Sequence, residues 1–112
     1  MAHRGEIYWV SWDPARGSEQ AGIRPALVIQ NDIGNQHSPT TVVAAISTAQ
    51  ERPYPFLVHM SSQESGLPQD SSVNLSAILT IDQRRLMGRC GALPLQRMAE
   101  VDLALKRSLG LT

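Results

Sequence analysis

Gly5-Glu6-Ile7-Tyr8-Trp9-Val10-Ser11-Trp12 has the alternation of a β-strand, and neither face of that strand is strongly polar. Ile7, Trp9 and Ser11 fall on one side, and Tyr8, Val10 and Trp12 on the other. A strand that is apolar on both faces needs cover on both, so it is expected inside a sheet rather than at its edge. Asp13-Pro14 ends it. Working outward, Ala26-Leu27-Val28-Ile29 behind Pro25 is a second buried strand. Residues 40–47 form a β-branched third, and residues 56–60 a fourth. Residues 72–75 and 77–81 read as two short strands separated by Ser76. Residues 31–39 and 61–70 read as a turn-rich segment and a polar loop. Only the last part is helical in pattern. Leu95, Met98, Val101, Leu105 and Leu109 recur at steps of three and four, Pro94 suits the first turn, and Gly110 is a stop. Short strands followed by one amphipathic helix predict a mainly β fold, a compact antiparallel barrel-like sheet with a C-terminal helix.

Composition bounds the function. At 112 residues the chain is expected to be a single domain spanning residues 1–112. Lys+Arg and Asp+Glu are 10 each, so no bulk charge attracts nucleic acid, and any anion must be held by a local patch. Cys90 is the sole cysteine, which excludes an intrachain disulfide and fits a reducing compartment. No apolar run has the length of a membrane span or a signal-peptide core, and a cytoplasmic location is expected. His3, His37 and His59 lack the spacing of metal ligands, so neither a metal nor another cofactor is expected.

The chemistry concentrates between the first two strands, in Arg16-Gly17-Ser18-Glu19-Gln20-Ala21-Gly22-Ile23-Arg24-Pro25. Two arginines, a carboxylate, an amide and a hydroxyl are more than a plain connector needs, and loops on a rigid scaffold commonly carry binding groups. On residues alone, Arg24 is either a surface arginine before a strand or an anion-holding group. Ser47 either bonds backbone at a strand end or serves a site. Arg84, Arg85 and Arg89 read either as a solvated basic cluster or as an attraction for an anionic partner.

Residues 4–10, the loop 17–25, residues 27–35, the Ser38-Pro39-Thr40 strand start, Gly66-Leu67-Pro68 with Asp70-Ser71, Thr80-Ile81-Asp82 with Arg85-Leu86, and Glu100-Val101-Asp102 with Ala104-Leu105 resemble, in order, the MazF/PemK toxin family. That family comprises ribosome-independent mRNA endoribonucleases of toxin–antitoxin pairs. The resemblance implies the small SH3-like barrel shared with CcdB toxins, a homodimer, and metal-independent cleavage of single-stranded mRNA. It implies 2′-hydroxyl attack, leaving a 2′,3′-cyclic phosphate and a 5′-hydroxyl. The implied partner is an antitoxin with an acidic, flexible tail. The catalytic arginine of the family falls on Arg24. Its second catalytic position, a threonine, falls on Ser47, with Thr48 beside it. Ser18, Glu19 and Gln20 match positions beside the substrate path, and Arg16 and Thr48 are expected to bind substrate with them. Ala77 and Leu79 stand where many members carry a glutamine and an arginine. The alternative is a toxin of the same fold that binds a protein target without cutting, as the gyrase-poisoning CcdB toxins do. A pure binder has no need of both Arg24 and the Ser47 hydroxyl.

Overall fold

Glu6–Trp12 (β1) lies inside a six-stranded sheet, as its two apolar faces require. This computed structural model describes residues 1–12, 22–48 and 54–111. The other strands are β2 (Gly22–Val28), β3 (Thr40–Thr48), β4 (Leu57–Met60), β5 (Ser71–Asp82) and β6 (Leu86–Ala92). Two short helices, α1 (Asp32–His37) and α2 (Ser62–Ser65), interrupt the strands, and α3 (Leu95–Leu109) closes the chain. The sheet order is β4-β5-β3-β2-β1-β6, and every pairing among the described residues is antiparallel.

Each sheet face carries its own core. On one, Ile7, Leu27, Ala44, Ile46 and Val73 meet Met98, Val101 and Ala104 of α3. On the other, Val10, Ala26, Val28, Val43 and Ile81 pack with Tyr8, Trp12 and Leu86. The helix stripe differs from the periodic expectation. Met98, Val101 and Ala104 are buried, whereas Leu95 is 87% exposed and Leu109 52% exposed. Burial in this 15-residue helix is confined to Met98, Val101 and Ala104 near its middle, so the apolar residues at its two ends lie outside the core. Fully burying a side chain such as Val101 stabilises by about 1.5–3 kcal/mol.

Four sequence readings are corrected. The segment read as turns holds α1, because Asn31, a turn former, caps a helix by accepting from the Gly34 N–H at 2.8 Å. Its Asn35 is buried: its side-chain oxygen accepts from Thr41 Oγ1 at 2.6 Å and from Gln30 Nε2 at 3.0 Å. The polar loop holds α2, built on a capping box between Ser61 and Glu64. The two short strands are one long β5. Ala44 pairs with Ile78 but Ala45 with Asn74, so the ladder skips Leu75, Ser76 and Ala77. Finally, β6 has no counterpart in the sequence reading. Its Gly88, Arg89 and Gly91 break the apolar alternation that marks a strand.

The two sheet edges are linked through α2, which follows β4 and packs on β6. The contact is backbone on backbone. A Cβ added at Gly66 would lie 2.2 Å from the Cys90 carbonyl oxygen, and one at Gly91 would lie 2.5 Å from the Ser65 carbonyl oxygen. Gly66 also caps α2 in the left-handed region, at φ 80°. Arg97 of α3 holds α2 from the other side, its Nε donating to Glu64 Oε2 at 2.8 Å.

Candidate functional site

A cleft of about 220 Å³ opens between the middle of β1 and β2, the end of β3 and the segment after α2. Each wall follows from local sequence. Pro25 interrupts the pairing of β2 with β3, which stops at Ala26↔Ala45. Beyond that point the two strands separate, and the same register would set Arg24 across from Ser47. Thr48 is fixed by its pairing with Ser71, and Ser47 by its pairing with Ser72. Trp9, paired with Pro25, supplies an aromatic wall. Ile46, Leu67 and Pro68 complete the apolar lining.

The segment 66–71 is held at several points. Gly66 rests on the Cys90 carbonyl, and the Asp70 carboxylate accepts from the Ser62 N–H at 2.9 Å. Ser71, itself buried, donates through Oγ to the Gln69 carbonyl at 2.9 Å. The Leu67 N–H donates to Ser65 Oγ at 3.1 Å. These bonds fix the backbone that presents Gln69 to the cleft.

Of the residues expected from the sequence, Arg24, Ser47 and Thr48 all line this cleft. Arg16, Ser18, Glu19 and Gln20 lie outside the described residues. Leu67, Pro68, Gln69 and Ser71 line the cleft without having been assigned a role. The only signal for them was the family-like Gly66-Leu67-Pro68 and Asp70-Ser71 blocks. Among the described lining residues Arg24 brings the one formal charge, accompanied by the hydroxyls of Ser47, Thr48 and Ser71 and the amide of Gln69. From the described residues, an anion entering there meets a cation and hydrogen-bond donors and no carboxylate.

The basic cluster resolves into structural ion pairs for two of its members. Arg84 grips Asp82 through Nε at 3.1 Å and Nη2 at 3.0 Å, and Arg89 donates to Glu6 Oε2 at 2.7 Å. The Arg84 pair lowers the Asp82 pKa. Burial pushes the Cys90 thiol up, which disfavours the thiolate, and Cys90 packs against the larger core away from the cleft lining. His59 Nδ1 lies 2.8 Å from Ser72 Oγ, and His3 lies near Asp32. Among the described residues no three His, Cys, Asp or Glu side chains are grouped to hold a metal ion. No helix there is long and apolar enough to cross a membrane.

Comparison with known proteins agrees with the fold. The family described as PemK-like, MazF-like toxin of type II toxin–antitoxin system matches residues 3–109. The chain is 45% identical over 112 residues to Endoribonuclease EndoA of Bacillus subtilis (strain 168), covering 99% of this chain and 97% of the relative. It is 42% identical to Endoribonuclease MazF of Staphylococcus epidermidis, covering 99% and 93%. A solved mycobacterial endoribonuclease in complex with its cognate antitoxin superposes with a TM-score of 0.83 at 26% identity, covering 100% of this chain and 98% of that one.

Proposed function

The chain belongs to the PemK-like, MazF-like toxins of type II toxin–antitoxin systems and is an endoribonuclease, and from that premise we propose that it cuts single-stranded mRNA in the cleft between Arg24 and Ser47. The observation that carries this reading is that Arg24 and the Ser47 and Thr48 hydroxyls line one cleft, whose described lining residues include no carboxylate.

RNA brings its own nucleophile, the 2′-hydroxyl. Its oxygen forms a bond to the adjacent phosphorus while the bond from phosphorus to the 5′-oxygen breaks. Water takes the 2′-proton, and the departing 5′-oxygen gains one. The products are a 2′,3′-cyclic phosphate and a 5′-hydroxyl. Negative charge builds on the non-bridging oxygens in the transition state. The forked guanidinium of Arg24 neutralises it, and the Ser47 hydroxyl donates to a second oxygen. Arg24 remains protonated throughout, since a guanidinium has a pKa above about 12. The chemistry needs no metal. Thr48 and the loop residues Arg16, Ser18, Glu19 and Gln20 guide the strand into the cleft.

The protein acts as a homodimer in the cytoplasm, silenced by an antitoxin whose acidic, flexible tail offers carboxylates to the same guanidinium groups that hold phosphate. The test is cleavage of single-stranded RNA in excess chelator, beside Arg24→Ala and a substrate carrying 2′-deoxyribose at the cut. Wild type is expected to cut at full rate, Arg24→Ala to fall by about 10²–10³ in rate, and the deoxy substrate to survive. Arg24→Ala at wild-type rate would sink the site. Cutting of the deoxy substrate would sink the mechanism.

A further inference from the structure

We propose that Gln69 selects the nucleobase beside the cut. This rests on the RNA-cleaving reading above and adds to it the group that reads sequence. Gln69 lines the cleft that holds Arg24 and Ser47 and is exposed there. Among the described residues its only hydrogen bond is at its backbone carbonyl, from Ser71 Oγ at 2.9 Å. Toward those residues its side-chain amide spends neither donor nor acceptor, while the chain on either side is tied down. Asp70 is bonded to the Ser62 N–H, and Gly66 is seated on the Cys90 carbonyl.

Phosphate is indifferent to sequence, so Arg24 and Ser47 choose a phosphodiester and not a base. Selectivity needs a group that distinguishes base edges. A primary amide donates and accepts side by side, which matches the paired donor and acceptor along the edge of a splayed-out base. The remainder of the site suits the base's faces. Trp9 gives a flat aromatic surface, and Leu67 and Pro68 an apolar wall. The rigid backbone at Gln69 keeps the amide in register with that base, so a mismatched edge leaves a polar group unpaired and slows the cut.

The experiment measures kcat/KM on RNAs that differ only at the nucleotides flanking the cut, for wild type, Gln69→Ala and Gln69→Glu. The expected result is a collapse of preference at one flanking position in Gln69→Ala, with the favoured base losing about ten- to a hundredfold against the others. Gln69→Glu, which only accepts, should shift preference at that same position toward bases presenting N–H groups. Thermal melts and phosphate-backbone salt slopes of the variants report on fold and on general RNA grip. A preference profile identical to wild type in Gln69→Ala, or a loss equal for all bases, would overturn the role of Gln69 and leave the nuclease reading standing. A wild-type protein that cuts no RNA at all would overturn both.

Discussion

Alanine at Gly66 tests whether the cleft wall is seated on β6 as described. Two costs meet at that position. Gly66 has φ 80°, where an L-residue loses about 1–2 kcal/mol. Its new Cβ would also lie 2.2 Å from the Cys90 carbonyl oxygen, a backbone atom that cannot rotate aside, and forced overpacking costs about 1–3 kcal/mol. Two other glycines separate these costs. Gly22 shares φ 80°, but none of the described residues lies within 4 Å of an added Cβ, so among them it carries only the conformational cost. Gly91 has no positive φ but meets the Ser65 carbonyl oxygen at 2.5 Å, so it carries only the contact cost. At about 4 °C per kcal/mol for a chain of this size, Gly22→Ala should lower Tm by about 4–8 °C and Gly91→Ala by about 4–12 °C. Gly66→Ala should lower it by about 8–20 °C, a large share of the stability of a small domain. The assay is thermal unfolding followed by circular dichroism, at one protein concentration because association shifts Tm. Well below its Tm, Gly66→Ala should also cut RNA slowly, since the displaced segment carries Leu67, Pro68 and Gln69. If Gly66→Ala melts no lower than Gly22→Ala, the Cys90 contact does not hold that segment and the reasoning is wrong.

Ser47→Ala should slow cleavage sharply, whereas Ser47→Thr should keep or raise it, because branching at Cβ restricts the hydroxyl's rotamers. A silent Ser47→Ala with a damaging Thr48→Ala would show that the working hydroxyl is on the neighbouring strand position. The Glu64 carboxyl is held below its ordinary value, first by the Arg97 guanidinium and next by the Ser61 N–H. A depressed folded value means that its stabilisation is complete above about pH 4.5, the unfolded value, and is lost as pH falls through the lower folded value. Urea unfolding across that range should therefore show a shallower acid loss in Arg97→Gln than in wild type, and equal slopes would deny the pairing a role in acid stability. An acidic antitoxin tail should displace a non-cleavable RNA from the protein, and both affinities should weaken with salt. Both ligands bound together would replace competition with an allosteric account.

The parts of the fold legible in the sequence were those where one physical signal acted alone. β1 declared itself through two apolar faces, and β3 through its β-branched run. α3 was found from its period, although Leu95 and Leu109 on that stripe are exposed, which periodicity does not mark. What stayed hidden depended on partners distant in the chain. β6 is a strand because β1 offers it a ladder and Ser65–Gly66 needs glycine opposite, neither of which alternation records. The break in β5 exists only relative to β3. The site followed the same division. Arg24, Ser47 and Thr48 were singled out through the family resemblance, residue chemistry alone leaving Arg24 and Ser47 open, while Gln69 becomes meaningful only once Gly66 and Asp70 fix the backbone around it.

The pairing of β1 has a consequence for biosynthesis. β1 is bonded on one side to β2, its neighbour in sequence, and on the other to β6, some 80 residues later. A chain emerging from the ribosome N-terminus first can close the β1–β2 hairpin early, with Arg24 already on it. It cannot seat Gly66 until Cys90 and Gly91 have emerged, nor grip Glu64 until Arg97 has. The arginine is thus made early and the wall that faces it late. The cleft of this endoribonuclease is complete only once β6 and the first turns of α3 have been made.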